Sequence, residues 1–140
     1  KSGLLNVMKN TGLQGRWQQL REFPKVICDT AHNKNGLEIV LNQIQKEDFD
    51  ALHIVFGVVN DKDLDEILPL FPKKVIYYFC KPNIPRGLDA VILKQKASTF
   101  ELKGEVYNSV SEAYQKALKN AEITDFIYIG GSTFVVAEIL

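Results

Sequence analysis

The chain has 140 residues, 46% of them hydrophobic, with 17 basic side chains against 17 acidic ones. That is one domain's worth of sequence with enough apolar material for a core, which argues against a disordered chain and against a disulfide scaffold. A formal net charge of +0, with no basic run, supplies no field for nucleic acid or an anionic membrane, and neither is expected as a partner.

Lys1 opens the chain with neither an initiator Met nor a signal-peptide pattern, so an excised piece of a larger protein is expected. Gly3, Gly12 and Gly15 interrupt the first stretch, and polar residues surround an isolated Trp17. Residues 1–22 therefore read as a lead-in segment or the remains of an interdomain linker, ahead of a domain over 23–140. Lys25 to Cys28 reads as a strand, and Leu37, Val40, Leu41 and Ile44 then recur at helical spacing. A second strand covers Leu52 to Phe56, and Leu64, Ile67, Leu68 and Phe71 mark the next helix. Val75 to Phe79 is a third strand, a helix lies near Asp89 to Ala97, and Gly104 to Tyr107 reads as an edge or late strand. Ser109 and Glu112 have capping-box spacing ahead of an apolar periodicity that runs to Ala121. Phe126 to Ile129 is the last strand, and Thr133 to Leu140 begins a final helix.

Strands that are apolar on both faces and alternate with amphipathic helices predict an α/β fold. It is a three-layer, Rossmann-like, mostly parallel sheet with helices on both faces. The longest apolar runs, such as Leu52 to Val59, fall far short of the roughly 20 residues a membrane helix needs. Cys28 and Cys80 have no CxxC or Cys/His spacing, so buried free thiols and a cytoplasmic setting are expected.

In an open parallel sheet, ligands bind where the loops leave the carboxyl ends of the strands. Asp29-Thr30-Ala31-His32-Asn33 occupies such a loop. An Asp there can accept two ribose hydroxyls, and an imidazole can contact a carboxylate or relay a proton. Asn33 or Asn35 suits a helix cap; equally, Asp29 and Asn33 cap and turn only, with His32 solvated. Gly130-Gly131-Ser132 occupies a second such loop. Its glycines expose backbone N–H groups, a helix start favours an anion, and Ser132 adds a hydroxyl; an ordinary Ser cap after a Gly turn is the plainer reading. Asn60-Asp61-Lys62-Asp63 reads as a charged turn with a cap, Arg86 as a surface residue, and His53 as a satisfied core or interface histidine. Arg16, beside Trp17, is a guanidinium suited to a phosphate. No Gly-x-x-x-x-Gly-Lys-Ser/Thr occurs, and no third glycine completes a dinucleotide fingerprint, so the chain is not a complete P-loop enzyme.

In order, Gly15-Arg16-Trp17-Gln18, Asp29-x-Ala31-His32-Asn33, Gly57 with Asp61-Lys62-Asp63, Pro85-Arg86 and Gly130-Gly131-Ser132 resemble one family. It is the C-terminal domain of folylpolyglutamate synthase/dihydrofolate synthase, within the Mur ligase superfamily, and the resemblance runs from about Leu13 to Leu140. It implies an ATP-dependent amide-forming ligase whose P-loop and Mg²⁺ ligands lie in an N-terminal ATPase domain upstream of Lys1. ATP phosphorylates a carboxylate of dihydropteroate or a reduced folate, and the amine of L-glutamate attacks the acyl phosphate. By the same resemblance Arg16 reaches the nucleotide phosphates, Asp29 holds the ribose, Asn33 and Lys34 lie on the ATP side, and His32 and Ser132 lie at the glutamate site. The isolated chain is expected to be inactive and the protein a monomer.

The chain departs from the family pattern at Lys34, where Pro is usual, and at Thr30, where Gly is frequent. Lys34 adds a charge close to the nucleotide, and Thr30 narrows the loop's conformational choice. The competing readings are the C-terminal domain of a peptidoglycan Mur ligase, against which His32-Asn33 argues, and a non-catalytic α/β binding module.

Overall fold

Every residue of the Leu52–Phe56 and Phe126–Gly130 strands is buried. A strand without a wet face must have protein on both sides, which requires helices above and below the sheet. The computed structural model of the protein describes residues 16–140; Gly3, Gly12, Gly15 and the rest of 1–15 lie outside them. In chain order the elements are β1 (Gln18–Arg21), β2 (Lys25–Cys28), α1 (Lys34–Gln45), β3 (Leu52–Phe56), α2 (Leu64–Ile67) and β4 (Ile76–Phe79). Next come α3 (Ala90–Ser98), β5 (Gly104–Val106), α4 (Val110–Asn120), β6 (Phe126–Gly130) and α5 (Thr133–Ala137).

The six strands form one sheet in the order β1-β2-β6-β3-β4-β5. All neighbours are parallel except β1, which runs antiparallel to β2 with a register shift between Gln19 and Arg21. The α/β expectation holds, and the sheet begins earlier than expected, inside the segment read as a lead-in. β1 is short and its side chains alternate between half-buried and exposed, so it carries no apolar run to announce it. A second difference is α2. The helix expected from Leu64 to Phe71 keeps α geometry only to Ile67, and Leu68–Leu70 tightens into a 3-10 turn. Pro69 is the cause, because it has no N–H to donate to the preceding turn and its ring crowds the carbonyl four residues back. Phe71 stays buried, at 3% exposure.

Period-2 alternation sorts the core into two layers. Ile27, Ile54, Phe56, Tyr77, Phe79 and Tyr128 face α1, α2 and α3. Val26, Cys28, Val55, Tyr78, Ile127 and Ile129 face α4 and α5. Leu37, Val40, Leu41 and Ile44 bury the inner stripe of α1, each worth about 1.5–3 kcal/mol, and so fix where its first turn sits.

At the amino ends of the strands lies a buried polar chain. Asp125 accepts from His53 Nε2 at 2.9 Å and from the N–H groups of Glu122 at 3.0 Å and Ala51 at 3.2 Å. His53 Nδ1 lies 2.9 Å from Tyr78 Oη, which also accepts from Asn120. His53 is therefore a satisfied core histidine. Burial works to raise the Asp125 pKa, but these hydrogen bonds and the neighbouring imidazole outweigh it and hold the carboxyl below its ordinary value.

The chain leaves β2 and β3 toward the face of α1 and α2, whereas it leaves β6, which lies between them, toward the face of α5. Loops that part in opposite directions open a crevice at the carboxyl ends of the strands. Here one opens on each side of β6.

Candidate functional site

After Cys28 the chain turns through Asp29 to Asn33 into α1. Asp29 is buried at 6% exposure. Its Oδ1 accepts from Ala31 N–H at 2.8 Å and its Oδ2 from Trp17 N–H at 2.7 Å. The second bond holds Trp17 in the left-handed region, at φ 45°, while its indole packs 6.3 Å from the Phe126 ring. Left-handed backbone in a bulky residue costs about 1–3 kcal/mol, and a hydrogen bond to a carboxylate returns about 1.5–3 kcal/mol. Asp29 thus fixes the residue that follows Arg16 and brings Arg16 to the end of β2.

Asn33 caps α1, its Oδ1 accepting from Gly36 N–H at 2.9 Å. His32 is exposed, with Nδ1 3.3 Å from the Thr30 carbonyl. That oxygen can only accept, so this contact selects the tautomer protonated at Nδ1. Lys34 opens α1 on an exposed face and lines neither of the clefts that flank β6.

On β6, Gly131 has φ +103°, and a Cβ there would overlap the Gly57 carbonyl and the Phe56 ring. Only glycine serves both demands. Ser132 is buried at 3% exposure and caps α5, its Oγ accepting from Phe134 N–H at 3.0 Å. With five residues, α5 is too short for its dipole to count, so the anion-favouring helix start expected here is not what this loop offers. It offers Ser132 itself.

A cleft of about 390 Å³ lies on the β2 side of β6, lined by Arg16, Asp29, His32, Asn33, Ile39 and Gln43 among others. A second, of about 210 Å³, lies on the β3 side, lined by His32, Ser132, Asp61, Lys62, Arg86 and Phe134 among others. His32 and Thr133 line both. Arg16, Asp29, His32 and Asn33 are brought together in the first, and His32 and Ser132 in the second. Asp61, Lys62 and Arg86, which carry part of the family resemblance but which local chemistry alone reads as a charged turn and a surface arginine, line the second cleft too. The signal lay in their position after β3 and β4, but only the strand order shows that those loops meet Ser132. Asp63, in contrast, does cap α2, accepting from Glu66 N–H at 3.3 Å.

Burial first, then negative neighbours, push the thiols of Cys28 and Cys80 up to about 12, so neither supplies a thiolate nucleophile. Among the described residues no group of three or more His, Cys, Asp or Glu is placed to hold a metal ion.

The sequence profile of the Mur ligase, glutamate ligase domain matches residues 15–133. The chain belongs to this family. Among the relatives of this Mur ligase C-terminal domain is a probable bifunctional folylpolyglutamate synthase/dihydropteroate synthase of Haloferax volcanii, 34% identical over 135 residues, covering 94% of this chain and 16% of that protein. The dihydrofolate synthase/folylpolyglutamate synthase of Escherichia coli is 29% identical over 130 residues, covering 91% of this chain and 30% of that protein. The chain therefore spans between about a sixth and a third of the length of these two relatives. Among solved structures, E. coli FolC in complex with DHPP and ADP superposes with a TM-score of 0.81 at 28% identity, over 89% of this chain and 30% of that one. A bifunctional folylpolyglutamate synthase/dihydrofolate synthase with Mn, AMPPNP and L-glutamate bound gives 0.79 at 25% identity, over 99% and 35%. The six-stranded, mostly parallel sheet of this glutamate ligase domain is the fold of those enzymes' C-terminal region.

Proposed function

We propose that this chain is the C-terminal, ATP-closing and L-glutamate-binding domain of an ATP-dependent ligase that adds glutamate to dihydropteroate, to reduced folates, or to both. The observation that carries the reading is the pair of clefts flanking β6 and sharing His32, in a chain of the glutamate ligase family. One cleft has the groups for a nucleotide and the other those for an amino acid, side by side, as transfer from an activated acyl group requires. That related enzymes have been solved with ADP and with L-glutamate supports it.

In this mechanism a carboxylate oxygen of the pteroate or folate attacks the γ-phosphorus of ATP, and ADP leaves. The glutamate nitrogen then attacks the acyl carbon, inorganic phosphate leaves, the amide forms and the amine proton is lost. Arg16 neutralises phosphate charge as the domain closes. A carboxylate has about four acceptor positions, and two of those on Asp29 are taken by backbone N–H groups, so the remaining pair faces the ribose hydroxyls. Asn33 orders the loop as the α1 cap, with Lys34 beside it adding positive charge on the nucleotide side. His32 and Ser132 hold the glutamate. The residues described here do not form a Mg²⁺ site; in this reading those ligands and the P-loop belong to an N-terminal ATPase domain. No step is therefore assigned to the metal here, and the chain by itself is inactive. The setting is cytoplasmic and the protein monomeric; among the described residues no helix is long and apolar enough to cross a membrane.

Steady-state kinetics of the full-length protein test the division of labour. Arg16→Ala should raise KM for ATP by about 10-fold or more, the size of one lost charge-assisted hydrogen bond, with little change in KM for glutamate. His32→Ala and Ser132→Ala should do the reverse. Equal losses for both substrates in all three variants would contradict the assignment.

A further inference from the structure

Asn33 takes the cap of α1, which leaves the next asparagine on that turn, Asn35, without a part in either cleft. Asn35 is exposed, and among the described residues its side-chain amide has no hydrogen-bond partner. It stands directly before Gly36, in the one Asn-Gly step of the chain. Such a step deamidates more easily than any other Asn dipeptide, because a glycine has no side chain to shield its backbone nitrogen from the amide carbon before it. Packing requires the glycine. A Cβ on residue 36 would lie 3.2 Å from the Ala31 Cβ and 3.3 Å from Asn33 Oδ1, so the Asp29-to-Asn33 loop folds closely over it. The packing that shapes this loop therefore also gives Asn35 its reactive neighbour.

The cap restrains the reaction. Gly36 N–H, whose nitrogen would be the nucleophile, donates to Asn33 Oδ1 at 2.9 Å. While that bond holds, the nitrogen keeps its proton and the helical backbone keeps it turned away from Asn35 Cγ. Leu37, Val40, Leu41 and Ile44 anchor the rest of α1, so the first turn can open alone, as helix ends do. We propose that Asn35 is a deamidation site gated by the Asn33 cap. When the first turn opens, the Gly36 nitrogen gives up its proton to solvent and bonds to Asn35 Cγ, and the side-chain nitrogen leaves as ammonia. Water then opens the five-membered imide at either carbonyl, leaving aspartate or isoaspartate at position 35. One water is taken up and one ammonia released, with no oxidant or reductant. Asn33 and Gly36 line the first cleft, so either product puts a new negative charge in the turn beside it. Isoaspartate also lengthens the backbone by a methylene and breaks the turn that Asn33 caps. This chemistry does not depend on the ligase reading.

The test follows the full-length protein by peptide mass spectrometry during incubation in mildly alkaline buffer. It reads the mass gained as an amide becomes a carboxyl, with isoaspartate scored by enzymatic methylation. Asn108, which is exposed and precedes Ser109, serves as the internal standard. Asn33→Ala should speed conversion at Asn35 by about 5-fold, the extra opening that a lost cap allows, and leave Asn108 unchanged. Asn33→Ser keeps a cap and should convert at the parent's rate. Asn35→Gln should remove the signal, since the longer side chain closes its ring far more slowly. In urea the parent should convert faster than folded Asn33→Ala. Equal rates at Asn35 in the parent and in Asn33→Ala would overturn the gate. Acceleration at Asn35 and Asn108 alike would overturn it too, because that marks global unfolding instead of an opened first turn. No conversion at Asn35 in urea would overturn the site itself.

Discussion

The hydroxyl of Tyr128 is fully buried in the central strand, and it has no hydrogen-bond partner among the described residues. Burial, and after it the charge of Asp29, drives its ionisation far above the ordinary tyrosine range, so it stays neutral. A buried hydroxyl without a partner costs about 1–3 kcal/mol relative to one that is satisfied. Tyr128→Phe removes the oxygen and keeps the ring, so urea unfolding should give a midpoint equal to or above the parent's. A midpoint lowered by more than about 1 kcal/mol of stability would mean that the hydroxyl makes a bond in solution. At this scale the lining of the two clefts was partly legible. The Asp29-to-Asn33 run and Ser132 announce themselves by type and position. What the sequence hides is the local role each also plays. Asp29 braces Trp17 and Ala31, and Asn33 and Ser132 cap helices. The local roles and the proposed ligand-binding ones would use the same oxygens, and only geometry shows which acceptor positions are already filled.

Elements whose chemistry is local were readable. Ser109 caps α4 by accepting from Glu112 N–H at 3.0 Å, and Glu112 returns a bond to Asn108 N–H at 2.7 Å, as the spacing predicts. The apolar periodicity predicts a longer α2 than forms because Pro69 sits on it, and β1 lacks a sequence signal because an edge strand needs no apolar run. The join between elements was invisible: Asp125, just before β6, is tied to His53 of β3 and through it to Tyr78 of β4. Those partners are 72 and 25 residues apart in sequence. A carboxyl whose folded pKa is lowered stabilises the protein above its unfolded pKa of about 4, and that stabilisation is lost as pH falls through the lower folded value. Asp125→Asn should therefore cost about 1–3 kcal/mol at neutral pH. It should also flatten the acid limb of the stability curve below about pH 4. A variant whose stability falls as steeply as the parent's between neutral pH and about pH 3 would show that Asp125 does not supply that limb.

For the whole molecule, the alternation of strands and helices was enough for the α/β class, because strands buried on both faces demand two helical layers. Strand order was another matter. The return of the chain from edge strand β5 through α4 to place β6 between β2 and β3 follows from which faces pack, not from any motif. That placement creates both clefts and puts His32 at their junction. It also sets Arg86 opposite Ser132, although the two lie far apart along the chain. In the proposed reaction the contents of the two clefts are joined. The most direct measurement is ATP-dependent incorporation of L-glutamate by the full-length protein, with dihydropteroate and a reduced folate supplied separately as acceptors. Incorporation with at least one acceptor, dependent on ATP, is the expected result. A folded protein that binds ATP and incorporates glutamate into neither would contradict the folate assignment, leaving the fold and the family in place.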